Sequence, residues 1–292
     1  MYELVQVAEN TFYIESPAKI GLVRLNDTDI CLIDSGSDKD AGRKVRQILD
    51  KNNWTLKAIY NTHSNADHIG GNKYLQSQTD CRIFANGIEC DFTNHPILEP
   101  SFLYGGYPVK ELEHKFLLAQ ESNCEMLTED VLPEGFKMID MKGHFFDMTG
   151  FRTADDVVFL ADCLSSAETL NKYKISFIYD VEAYLDTLET VKNMKARMFV
   201  PSHTSVTDDI TPLCQLNIDA VNEIAGKICE ICKNPICFET LLKKLFDAYS
   251  ISMNFQQYVL VGSTVKSYLS YLKEKGRVCA EFVDNMLLWK MV

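Results

Sequence analysis

The segment Thr62-His63-Ser64-Asn65-Ala66-Asp67-His68 places two imidazoles and a carboxylate within six residues. Neutral imidazole and ionised carboxylate are common donors to divalent metals, and one short turn cannot keep three of them apart. The chain has only six histidines. Two of the others, His144 in Gly143-His144 and His203 in Pro201-Ser202-His203, also follow a predicted strand or a glycine-marked turn. A single histidine after a strand is more often structural than a ligand. Crowding of His63, Asp67 and His68 reverses that weighting and points to a metal centre.

Taken in order, these motifs resemble the metallo-β-lactamase superfamily over roughly residues 10 to 205. Its His-x-His-x-Asp-His signature corresponds to His63-Ser64-Asn65-Ala66-Asp67-His68, its glycine-preceded third histidine to Gly143-His144, its strand-end aspartate to Phe159-Leu160-Ala161-Asp162, and its last ligand to Pro201-Ser202-His203. The resemblance implies an α/β fold, a four-layer αββα sandwich, with two divalent metal ions, zinc foremost and iron or manganese as alternatives. It implies that His63 and His144 hold the first ion, that Asp67, His68 and His203 hold the second, and that Asp162 bridges them. A hydroxide between the ions then hydrolyses a small ester, thioester, lactone or amide, with Asp67 and Asp162 organising the nucleophile. Asp34, in Asp34-Ser35-Gly36, matches a position that braces the metal-binding loop, although a strand-end turn explains it equally well.

The departure is Asn65, which stands where the family carries its second histidine. A neutral amide oxygen is a weaker zinc donor than imidazole, so the first site is weakened. Asn65 ligates through its oxygen, yields to water, or leaves that site empty. In the last case His63, His144 and Asp162 would form a two-histidine, one-carboxylate triad suited to a single iron, as in the persulfide dioxygenases of this superfamily. That is the alternative enzyme reading.

Around these motifs, strand-like runs begin at Thr11, Gly21 and Asp29, an amphipathic helix covers Lys39 to Asn52, and an apolar strand covers Leu56 to Tyr60. The alternation returns at Val157 to Ala161, Val181 to Lys195 and Arg197 to Val200, which suggests layered α/β structure over residues 1–210. Residues 91–128, with Pro96, Pro100, Gly105, Gly106 and Pro108, read as an inserted, partly irregular excursion of the kind that forms lids. Phe102, Tyr104 and Tyr107 either line a pocket there or anchor the loop, while His95 and His114 read as surface residues. A connecting helix over 211–235 and a small winged-helix-like domain over 236–292 follow, with helices at Glu239 to Tyr249 and Ser263 to Lys275 and a hairpin turning at Asp284-Asn285.

A net charge of -12 opposes binding to nucleic acid or anionic membrane. The tail from Ile236 to Val292 sets seven Lys and Arg against five Asp and Glu, too little to support a DNA-binding regulator, the non-catalytic alternative. No secretory leader or apolar run of spanning length is evident. Ten scattered cysteines read as reduced thiols, and Cys229 and Cys232 as two buried thiols one helical turn apart. The expectation is a cytoplasmic enzyme with a small-molecule substrate, no membrane or nucleic-acid partner, and homodimerisation left open.

Overall fold

The structure, a computed structural model, describes residues 2–292. Among them, seven strands form one sheet in sequence order: β1 (Glu3–Gln6), β2 (Thr11–Glu15), β3 (Ile20–Arg24), β4 (Asp29–Ile33), β5 (Thr55–Asn61), β6 (Arg82–Ala85) and β7 (Cys124–Met126). The first four pair antiparallel through short turns. From β4 onward the pairing is parallel, so each connection must cross over: α1 (Lys39–Asn52), then α2 (Ala66–Ile69) with α3 (Asn72–Thr79), then α4 (Gly87–Asn94) with α5 (Leu98–Tyr104). A second sheet has the order β11-β10-β9-β8, made of β8 (Lys137–Asp140), β9 (Thr149–Arg152), β10 (Val157–Ala161) and β11 (Met198–Pro201), with α6 (Ala167–Tyr173) and α7 (Val181–Lys192) between β10 and β11.

The run Ile30-Cys31-Leu32-Ile33 is apolar at every position because β4 is covered on both faces. Cys31 and Ile33 point inward to meet Phe151, Val157, Phe159 and Val200 of the second sheet. Ile30 and Leu32 point outward under Val45 and Leu49 of α1 and Leu75 of α3. The second sheet repeats the arrangement, with Val158, Leu160 and Phe199 facing Tyr184, Leu188 and Val191 of α7. The result is the four-layer αββα sandwich that the sequence implied. The sheets approach so closely that a Cβ on Gly21 of β3 would lie 2.7 Å from the Phe159 ring.

After α8 (Thr211–Ile231), the chain forms β12 (Ile236–Cys237), α9 (Phe238–Tyr249), α10 (Phe255–Glu274), β13 (Val278–Val283) and β14 (Met286–Met291). The last two strands pair through Asp284 and Asn285, both at positive φ, the conformation that a two-residue hairpin turn requires. Cys229 and Cys232 are buried in the core beneath this region, and among the described residues all ten cysteines are free.

Two elements differ from the sequence reading. Residues 91–128 contain a regular helix, α5, which tolerates Pro100 because that residue lies in its first turn. The helix expected at Ser263 begins eight residues earlier, at Phe255, where the Asn254 side chain accepts from the Gln257 N–H. Gly262 in its middle weakens the local helical signal, and burial of Val259 and Val261 outweighs it. In the extra turns Val259 packs with Leu103, Leu112 and Leu117 of the insert.

Because Phe159 joins the two sheets, Phe159→Ala should cost about 3–5 kcal/mol through lost contacts and a residual cavity. Urea denaturation should show a lower midpoint with little change in slope.

Candidate metal centre

All seven residues singled out in the sequence converge at one edge of the sandwich. His63 follows β5, Asn65 caps α2, and Asp67 and His68 lie within α2. His144 lies between β8 and β9, Asp162 directly follows β10, and His203 follows β11. Gly143 has φ of +117°, and a Cβ there would lie 2.2 Å from the Tyr184 nitrogen. Only glycine can bring the chain this close to α7 and present the next side chain, His144, to the site.

Each imidazole is held by its Nδ1. That of His63 meets Thr62 Oγ1 at 3.0 Å, and that of His68 meets Asp34 Oδ2 at 2.7 Å. The His144 ring donates to the Phe177 carbonyl at 3.1 Å, and the His203 ring to the Pro17 carbonyl at 2.8 Å. In the neutral tautomer with its proton on Nδ1, each ring presents an Nε2 lone pair to the site, the arrangement that orients metal-binding histidines. Asp34 is therefore a brace as well as a turn residue. Its Oδ1 accepts from the Thr62 N–H and its Oδ2 from the Thr62 hydroxyl, each at 2.8 Å. Asp34 itself sits at φ of 64°, and Ala161, just before Asp162, at 50°. Such conformations cost of order 1–3 kcal/mol each, and here they turn two strand-end carboxylates toward the site.

The donor atoms form two groups that share one carboxylate: His63, His144 and Asp162, and Asp67, His68, Asp162 and His203. Within each group all donor atoms lie within 4.8 Å of one another. Asp162 Oδ2 stands 4.0 Å from His63 Nε2, 3.8 Å from His144 Nε2 and 3.1 Å from His203 Nε2, and its Oδ1 stands 3.1 Å from His68 Nε2. His203 Nε2 also lies 3.3 Å from Asp67 Oδ2. Yet His63 Nε2, His68 Nε2 and Asp162 Oδ1 are buried without a hydrogen-bond partner. Leaving three such atoms unpaired is costly. A metal ion accepting their lone pairs removes that cost, so the residues fit the implied cofactor.

Asn65 turns its amide oxygen inward, 3.2 Å from His144 Nε2, while its Nδ2 donates to Glu99 Oε1 at 2.8 Å. Glu99, on α5, fixes which end of the amide faces the first donor group. Glu89, on α4, has a related role. One carboxylate oxygen accepts from the Ser64 N–H and hydroxyl, and the other from the Asp147 N–H, tying the His63 loop to the His144 loop. The sequence reading missed both glutamates. Their signal is weak, because a carboxylate on a short helix in an insert looks solvent-facing until the insert folds over the site.

Electrostatically the two groups differ. Burial, reinforced by the neighbouring His68 charge, holds His63 well below its usual range, and burial likewise lowers His144. Both are neutral and ready to coordinate. Burial also opposes the charged forms of His68 and His203, but nearby carboxylates outweigh it: His68 is held well above its usual range, and His203 is pushed up to about 10 by Asp162 and Asp67. Burial raises Glu89 to about 7, with the Ser64 and Asp147 donors acting against it.

Two sheets packed face to face, with strand-end histidines and aspartates gathered at their common edge, define an αββα protein with a candidate metal centre. A sequence profile of the metallo-beta-lactamase superfamily matches residues 14–203. The chain belongs to that superfamily. With two solved structures the likeness extends over the tail as well. A beta-lactamase domain protein from Burkholderia ambifaria superimposes with a TM-score of 0.74 at 15% identity, covering 99% of this chain and 94% of its own. A metallo-beta-lactamase family protein from Thermus thermophilus gives 0.72 at 14% identity, covering 100% and 98%. A hydroxyacylglutathione hydrolase from Prochlorococcus marinus (strain MIT 9312) is 43% identical over 61 residues, 19% of this chain and 25% of the relative, so the match spans a quarter of that protein.

Removing the brace with Asp34→Ala should weaken metal binding about 10–100-fold, measured by competition against a chromophoric chelator. Metal must also displace protons from His68 and His203, so uptake should release protons and apparent affinity should rise with pH, seen as heats that depend on buffer ionisation. Stability of the metal-free protein should move the other way. A folded pKa near 10 for His203 contributes stability that is complete below its ordinary 6.5 and lost as pH rises toward 10.

Proposed function

We propose that the protein is a metal-dependent hydrolase of small esters, thioesters, lactones or amides. The observation that carries this reading is the pair of donor groups sharing Asp162: a site for one ion would need only one of them. The short match to a hydroxyacylglutathione hydrolase supports an acyl substrate. His63 and His144, with the Asn65 oxygen, would hold the first ion, Asp67, His68 and His203 the second, and Asp162 both. Bound ions supply Lewis acidity and lower the pKa of coordinated water to about 7.

The chain's own residues then prepare the reaction. Asp162, fixed by the bend at Ala161, keeps the two donor groups in register. Asp67, partly exposed beside His203, is placed to accept a hydrogen bond from the attacking water at its Oδ2 and so to guide the proton. Its carboxyl is held well below the usual range because, although burial acts against the charged form, His68 and His203 outweigh it, so it is ionised in the resting protein. Hydrophobic walls from α5 and α10 limit bulk water around these groups.

A second reading keeps only the first group and binds one iron for persulfide oxidation, and it is favoured by Asn65 in place of an imidazole. The complete second group weighs against it.

Elemental analysis of protein purified without added ions should give close to two equivalents of metal. Chelator-treated protein should lose at least about 100-fold in acyl-ester turnover and regain it on adding zinc, manganese or iron. Full turnover by metal-free protein overturns the hydrolase reading, and a single iron with oxygen uptake on persulfide supports the alternative.

A further inference from the structure

Two cavities share His144 and Asp162, and they differ in size and in the side chains of their remaining walls. One, of about 160 Å³, borders Asn65, Asp67 and Glu99, and the rest of its wall is mainly Leu103, Phe116, Leu117, Phe177 and Leu260. The other, of about 600 Å³, borders His203 and sets Ser165, Glu168, Thr169, Lys172 and Gln257 beside apolar Pro17, Tyr173, Ile175 and Val261. Gln256 and Leu260 of α10, with Phe177, line both and form the saddle between them.

The smaller cavity is part of a packed cluster. Leu103 and Leu117 are buried and pack with Leu112 and Val259, with Phe177 and Leu260 alongside. Side chains locked in this way do not reshape around a guest, so the wall selects by size. A cavity of about 150 Å³ lined by leucine, isoleucine and phenylalanine holds a benzene-sized guest. Phe116, 58% exposed, stands at the mouth.

Building on the hydrolase reading, we propose that the substrates are esters, thioesters or amides with one short apolar arm, no larger than a phenyl ring or about six carbons, and one polar arm. The apolar arm enters the cavity walled by Leu103 and Leu117. The polar arm lies in the larger cleft, where Lys172, Glu168 and Gln257 offer charge and hydrogen bonds. The scissile bond then lies beside His144 and Asp162, which both cavities border. Hydrolysis adds water across the acyl carbon–heteroatom bond, with the acid as one product and the protonated alcohol, thiol or amine as the other, and needs no further reactant. The insert and the C-terminal helix therefore set specificity, and the sandwich supplies the reactive groups.

Two measurements separate this proposal from the reading on which it rests. The first is turnover by the zinc-loaded full chain of N-acetylcysteamine thioesters from acetyl to decanoyl, and of acetyl thioesters of thiols from ethanethiol to decanethiol. In one of the two series kcat/KM should rise about fourfold per methylene up to about six carbons and then fall. The second is calorimetric binding of acetate, butyrate, hexanoate and decanoate, which requires no turnover. Affinity should tighten by the same factor per methylene to hexanoate and no further. Leu103→Trp should abolish the increment in both measurements, and Leu103→Ala should move the break to longer chains, each variant first checked for native circular dichroism. Absence of turnover throughout overturns the hydrolase reading. Absence of a chain-length increment in binding, or an increment unchanged by both Leu103 variants, overturns this proposal whatever turnover shows.

Discussion

Four imidazole nitrogens stand within 4.0 Å of a single buried carboxylate, that of Asp162. No packing of apolar side chains would bring this about, and without a metal only the protons on His68 and His203 offset it, while His63 Nε2 stays buried and unpaired. The surroundings can be read as the means of sustaining it. Each ring is tied by its outer nitrogen to an oxygen, and three of those oxygens are the Thr62 hydroxyl beside His63, the Asp34 carboxylate at the end of β4 and the Phe177 carbonyl between α6 and α7. The fourth is the Pro17 carbonyl, between the second and third strands, so the first sheet also helps to aim His203.

The site therefore couples the two halves of the sandwich. Asp34 closes a strand of the first sheet and Asp162 follows one of the second, and each is reached through a left-handed backbone turn. Glu89 spans the same divide, accepting from the loops before and after the central strands. Buried polar networks of this kind are expensive when incomplete and rigid when satisfied, which suits a centre whose donors must keep fixed separations.

What could be read in the sequence follows from where the information lies. The ligands were legible because their residue types are rare and grouped, and because each follows a strand whose apolar run is evident, such as Phe159-Leu160-Ala161 before Asp162. The sandwich was legible because a strand covered on both faces must be apolar throughout. The start of α10 was not, since Gly262 and the β-branched residues around it lower helix propensity, and the contacts that compensate come from an insert about 150 residues away. Glu99 and Glu89 escaped for the same reason: a glutamate on a short helix looks solvated until tertiary structure buries it. Among the aromatics of the insert, Phe102 anchors, packing against Phe146 and Tyr179, whereas Tyr107 is 84% exposed.

Asn65 is the one position in the centre held from outside the sandwich, through Glu99 on the inserted helix. Apart from that bond, the insert touches the donors only by walling the space beside them. Changes in length or sequence between residues 91 and 128 that spare Glu99 can thus re-cut the cavity while every ligand stays in place. The chain keeps what it reacts with and what it accepts on separate stretches of polypeptide, and a lineage or a designer could exchange the second without rebuilding the first.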